Sequence, residues 1–177
     1  GGDRGGEITL WDADSGENAA TFKKHEFSIV CLEFSPDGRL LAAGGGDEAA
    51  PTWSQLLNGE LRLWNVENRQ LVGQCAAVRS LLQDLSFDTQ GTIVAAATLE
   101  GTVVLWSVNR IEGGRILRGH TGPVTAVRWL PDGRFLASSG EDGLVRVWDI
   151  GGEQGDRVYK GHHGAVTALT VSPDGSV

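Results

Sequence analysis

Apolar and β-branched residues alternate with polar ones at a spacing of two along most of this chain, in short runs broken by Gly, Pro, Asp and Asn. That spacing puts one set of side chains on one face of a strand, so the runs predict strands. One group is Ile29–Phe34, Leu40–Ala43, Leu61–Trp64 and Leu71–Cys75. A second is Leu82–Phe87, Ile93–Ala97, Thr102–Trp106 and Arg115–Leu117. A third is Val124–Trp129, Phe135–Ser138, Leu144–Trp148 and Val158–Tyr159. Four short antiparallel strands make a small sheet that cannot bury both faces by itself, so each group is expected to stack on its neighbours.

The groups recur at a fixed distance. Trp11-Asp12, Trp64-Asn65, Trp106-Ser107 and Trp148-Asp149 each close an alternating run, and the steps between the tryptophans are 53, 42 and 42 residues. The turns ending in Gly38, Gly91, Gly133 and Gly175 keep the same steps. Three of the four carry Pro-Asp-Gly, in which proline presets φ and glycine accepts a positive φ. Gly119-His120 and Gly161-His162 are again 42 apart, with Lys24-His25 and Ala77-Val78 at the matching places. The one long step is explained by 11 residues inserted at Glu48 to Asn58, between the second and third strands of that unit.

Four-stranded units with Gly-His early and Trp-Asp late resemble the WD40-repeat β-propellers over essentially all 177 residues. The fold expected is all-β: the last two strands of one blade, three complete blades and the first strand of a fifth. The resemblance also implies a buried polar relay in each well-formed blade. One unit holds a full set in His120, Ser138 or Ser139, Asp142 and Trp148. The first whole unit keeps His25, Asp47 and Trp64 but has Ala43 at the hydroxyl position; the second has Val78, Ala96 or Ala97, and Glu100, so no relay is expected there.

Composition narrows the partners. The hydrophobic share of 40% suits a globular protein, and 26 glycines imply many turns. A net charge of -8 presents a repulsive average field to a polyanion, so nucleic acid is not an expected partner. The longest apolar runs, such as Ile93 to Ala97, are too short to span a bilayer, and no basic-then-apolar leader opens the chain. Cys31 and Cys75 form no CxxC pair or Cys/His cluster, which argues against zinc and a disulfide framework; both are expected to be buried strand residues. A reducing, cytoplasmic setting is the corresponding expectation. Because methionine is absent and Val177 follows a turn motif directly, both ends are expected to be cut from a longer protein that supplies the remaining blades.

His120, Asp142 and Ser138 have the residue types of a catalytic triad, but a set locked to the repeat period belongs to packing between strands. No catalytic residue, cofactor or metal site is therefore expected. Gly44-Gly45-Gly46-Asp47 lacks the Gly-Lys-Ser/Thr of a phosphate cradle and reads as a glycine-rich turn. His162-His163 has no further ligands at a useful spacing. Phe34, Phe87 and Trp129 share one repeat position and read as core. Trp53, with Leu56 and Leu57, falls inside the insertion and reads either as a lid on the propeller or as a contact for a partner.

The function that follows is a non-catalytic platform for other proteins or peptides. In the family that these units resemble, the end bearing the Gly-His loops and the second-to-third-strand loops is a common docking face. There the candidates are Glu26, Phe27, Trp53, Leu56, Leu57, Arg79, Ser80, Glu100, Thr121, Glu141 and His163. The rival is a regulatory or sensory propeller of a larger enzyme such as a kinase or an NTPase, which a Walker loop or kinase signature in flanking sequence would mark.

Overall fold

The computed structural model describes every residue except 23–24, 47–58, 79 and 176–177. Fourteen strands are described, and each sheet is antiparallel. β1 (Ile8–Trp11) and β2 (Asn18–Phe22) form a two-stranded sheet. The first four-stranded sheet takes β3 (Ser28–Phe34), β4 (Leu40–Gly46), β5 (Gly59–Asn65) and β6 (Leu71–Val78) in chain order. The second takes β7 (Leu82–Phe87), β8 (Ile93–Thr98), β9 (Thr102–Ser107) and β10 (Arg110–Arg118). The third takes β11 (Val124–Trp129), β12 (Phe135–Gly140), β13 (Leu144–Asp149) and β14 (Arg157–Lys160).

The period-2 pattern explains the core. One face of the β3–β6 sheet sends Ala42, Leu61, Leu63 and Cys75 against Leu82, Leu85, Phe87, Val94, Val104 and Trp106 of the next sheet. The other face of that next sheet sends Ala95, Ala97, Val103, Leu105 and Leu117 against Val124, Val127, Trp129, Leu136 and Trp148. A third cluster joins Ile8, Ala20 and Phe22 to Leu41, Ala43 and Trp64. The β3–β6 and β7–β10 sheets therefore each give alternate residues to two neighbours, and the repeat tryptophans 64, 106 and 148 are 1–3% exposed. Trp11 in the two-stranded sheet is 62% exposed.

The turns follow the repeat. Gly38, Gly91, Gly133 and Gly175 all have φ between 67° and 71°, and each donates its N–H to the carbonyl three residues earlier, at 2.8–3.0 Å. Asp149 closes another turn: Arg134 donates to both carboxylate oxygens, and the Gly152 and Gln154 N–H groups donate as well. These donors hold its carboxyl far below the usual carboxylate range, the Arg134 contact acting most.

Four readings are corrected. Gly44, Gly45 and Gly46 are the end of β4 and not a turn, with Gly45 opposite Glu60. At that point β3 runs so close beside β4 that a Cβ on Gly45 would collide with the Ser28 carbonyl oxygen, so glycine is accommodated in the ladder itself. Phe34 is 47% exposed, unlike Phe87 and Trp129, because the two-stranded sheet beside it covers only part of that face. Cys31 is half-buried, whereas Cys75 is buried. The expected first strand of a fifth unit is not a strand: residues 161–171 have no ladder partner, although Val166 is buried and bonds to Gly140.

Gly45→Ala in the full-length protein is expected to lower stability by about 2–4 kcal/mol, since the obstacle is backbone. Gly151→Ala, where an added Cβ meets its nearest neighbour, Asp149 Oδ1, at an ordinary 3.5 Å, should stay within about 0.5 kcal/mol. Urea midpoints of the two variants check this.

Candidate functional site: relays and the loop face

His120 lies in the loop before β11, Ser138 on β12, Asp142 in the turn before β13 and Trp148 near the end of β13, so strand pairing brings the four side chains together. The Trp148 indole N–H donates to Ser138 Oγ at 2.8 Å. Ser138 Oγ is then free to donate to His120 Nε2, also at 2.8 Å. That leaves His120 Nδ1–H to donate to Asp142, 3.0 Å from each carboxylate oxygen. Asp142 also accepts from the Thr121 and Leu144 N–H groups, and these donors with His120 outweigh its partial burial and lower its pKa. Ser139, the alternative hydroxyl, bonds instead to Thr125 Oγ1 at 2.9 Å.

The β3–β6 sheet solves the same problem without a hydroxyl. Its Trp64 indole N–H donates directly to His25 Nε2 at 3.2 Å, and the two rings are 5.9 Å apart, against 6.3 Å for His120 and Trp148. His25 Nδ1 faces Glu60 Oε2 at 3.2 Å, and Glu60 Oε1 lies 2.6 Å from Arg62 Nε. Asp47, the carboxylate expected here, is outside the described residues. Glu60 was not legible from the repeat, which puts the carboxylate in a turn. The missed signal is the run Glu60-Leu-Arg62-Leu-Trp64: alternation sets both charges on the face of a buried tryptophan, where charges need partners. Burial, reinforced by the nearby Arg62 charge, depresses the His25 pKa to about 4, so this imidazole is neutral at pH 7. In the β7–β10 sheet, Ala96 is fully buried at the hydroxyl position, and Thr98 bonds to the Thr102 backbone and hydroxyl instead.

The loops at this end of the sheets are tied to one another through backbone. Gly6, Gly101 and Gly143 recur at one repeat position with φ of 76–80°, each against the carbonyls of the following loop. A Cβ on Gly6 would fall 2.5 Å from the His25 oxygen, and one on Gly101 2.8 Å from the Gly122 oxygen. The Glu141 N–H bonds to the Pro123 oxygen, and the Glu100 N–H to Ser80 Oγ. Ser80 is thereby buried as a loop tie and does not offer a contact. Glu26, Glu100, Thr121, Glu141 and His163 are exposed, and Phe27 is half-buried. Trp53, Leu56, Leu57 and Arg79 lie outside the described residues. Among the described residues no group of three His, Cys, Asp or Glu could hold a metal ion.

Ser138→Ala should cost under about 1 kcal/mol, because the β3–β6 sheet shows the indole reaching imidazole directly, whereas His120→Ala strands Asp142 and Ser138 at about 1–3 kcal/mol. Equal losses in urea unfolding of the full-length protein would contradict this. For His25 the folded pKa of about 4 lies below the unfolded value of roughly 6.5. The unfolded chain therefore takes up the proton first, and this stabilisation is complete above pH 6.5, declines as the pH falls and is lost through pH 4. Parent and His25→Gln stabilities should accordingly converge by about 1–3 kcal/mol between pH 7 and pH 4.5, read from urea midpoints at each pH.

The repeat pattern of the family described as WD domain, G-beta repeat matches residues 16–65, 113–149 and 155–177, more than half of the chain. The long unmatched stretch, 66–112, holds β7, β8 and β9 together with Val78 and Ala96, the residues that replace relay members in that repeat. WD repeat-containing protein SL1-17 of Schistosoma mansoni is 30% identical over 132 residues, covering 73% of this chain and 39% of that protein. Protein HIR1 of Cryptococcus neoformans is 34% identical over 125 residues, covering 66% of this chain and 14% of that protein. A component of chromatin assembly factor 1 from Mus musculus is 23% identical over 146 residues, covering 73% of this chain and 26% of that protein. The chain thus spans well under half the length of these relatives. With stacked four-stranded sheets, a Trp-His staple in two of them and this match across its repeats, the chain belongs to the WD domain, G-beta repeat family.

Proposed function

We propose that this chain is a segment of a larger propeller that serves as a rigid, non-catalytic platform for other proteins, docking them on the loop face. The observation carrying this reading is the division of labour in those loops: backbone and buried side chains hold them together, while Glu100, Thr121 and Glu141 project into solvent. A surface held in place before binding loses little conformational entropy when a partner arrives. Catalysis by His120 and Ser138 is disfavoured because the imidazole side chain is 0% exposed and Ser138 is fully buried, each with its hydrogen bonds committed. A nucleophile needs access to substrate.

Names among the relatives support the kind of partner, since one belongs to a chromatin assembly factor. Protein partners fit the acidic surface better than nucleic acid does. The unpaired Cys31 and Cys75 support a reducing compartment such as the cytoplasm. No described helix is long and apolar enough to cross a membrane. The 48–58 insertion, which leads into β5, is proposed to join the loop face.

The test is partner capture from cell extract by the full-length protein. Replacing Glu100, Thr121 and Glu141 together with Ala should reduce the captured set by about tenfold or more while leaving the melting temperature unchanged. An unchanged set would overturn the docking face. Trp53→Ala, run in parallel, should lose partners at unchanged stability if Trp53 is a contact; lost stability with unchanged partners makes it a lid.

A further inference from the structure

We propose that Arg146, with Lys160 beside it, forms an anion-recognition point on the outer flank of the β11–β14 sheet, taking a carboxylate of an extended acidic segment in a partner protein. The proposal rests on the platform reading above and names the chemistry of one partner contact.

Leu144, Arg146 and Trp148 share one face of β13, and the register with β14 sets Val158 opposite Arg146 and Lys160 opposite Leu144. Lys160 is thus the diagonal neighbour of Arg146 on the same face, a separation of about 7–8 Å at which two like charges repel. The guanidinium is fixed in place. Its carbon lies 5.5 Å from the centre of the Trp148 ring, and on its other flank a Cβ added to Gly119 would fall 2.7 Å from Nη1. Nε is shielded from water and has no hydrogen-bond partner. Among the described residues, no carboxylate pairs with Arg146 or with Lys160.

The repeat supplies the comparison. Arg62 holds the equivalent place on β5, and Glu60 lies 2.6 Å from it. The residue equivalent to Glu60 is Leu144, so the third sheet keeps the arginine and replaces its acidic neighbour with an apolar one. Arg146 is half-buried and only its Nε is shielded, so an anion arriving from outside meets the terminal nitrogens, where it supplies the missing counter-charge and relieves the repulsion from Lys160.

Carboxylate fits best. The planar guanidinium, held against Trp148, offers a fork of terminal nitrogens that matches a planar carboxylate at two points. An extended segment fits because β14 is the outer edge of its sheet, with its far side unpaired, and Val158, on the face of Arg146, is 41% exposed. A strand laid along that edge gains backbone hydrogen bonds, while alternate side chains reach the face of Arg146.

The test uses a fluorescein-labelled peptide of alternating Glu and Val, titrated with the full-length protein at low salt and read by anisotropy. Arg146→Gln should weaken binding about tenfold or more, and exposed Lys160→Gln, which carries little risk to folding, by about threefold. Arg146→Lys should fall between parent and Arg146→Gln, because it keeps the charge and loses the fork. Arg157→Gln, on the opposite face of β14, should bind as the parent does. Parent-like binding by both Arg146→Gln and Lys160→Gln would overturn the proposal, as would binding only of a phosphoserine version of the peptide. If the loop-face variant still loses captured partners in that event, the platform reading stands while this one falls; a parent that captures no protein removes the platform reading itself.

Discussion

A four-stranded sheet with two apolar faces has no stable existence in water, and everything else in this molecule answers that constraint. The first two four-stranded sheets each bury one alternation of their side chains against the sheet before and the other against the sheet after. The hydrophobic term scales with the area removed from water, so the driving force accrues at the boundaries between units. This is why Trp64, Trp106 and Trp148 are nearly invisible to solvent while Trp11, in a sheet of only two strands, is not.

Stacking alone does not fix the strands within a sheet, and the Trp-His staples show two ways of doing so. In the third sheet a serine hydroxyl relays between indole and imidazole, with an aspartate in a turn anchoring the far nitrogen. In the first sheet the hydroxyl is gone, the rings close up, and a glutamate from the strand itself stands beside the far nitrogen with Arg62 at its side. The second sheet does without. A network in which every member has a partner and an apolar core are both acceptable; the costly state is the one in between. The repeat thus tolerates wholesale replacement of its polar set.

Much of this was legible in the residues. Strand positions followed from alternation because burial imposes a period of two, and the turn glycines followed because only glycine readily takes a φ near 70°. His120, Ser138, Asp142 and Trp148 could be named because their spacing repeats. What escaped was whatever depends on distance between strands. The approach of Ser28 to Gly45 is a separation between two backbones, which leaves no trace in an apolar-polar pattern. Phe34 shares its repeat position with buried Phe87, and its exposure reflects the neighbour it has, not its own sequence. Glu60 escaped too, because the repeat points to carboxylates in turns and not to one on a strand.

The ties beneath the loop face carry a consequence for how such a surface diversifies. Gly6, Gly101 and Gly143 meet carbonyl oxygens, and the Glu141 tether runs from amide to carbonyl, so these connections are largely indifferent to which side chains the loops display. Mutational drift at the exposed tips can rewrite recognition without loosening the architecture. Change at the three glycines would loosen the architecture without touching recognition. The two kinds of change fall on different positions, so specificity and shape can vary separately in this chain.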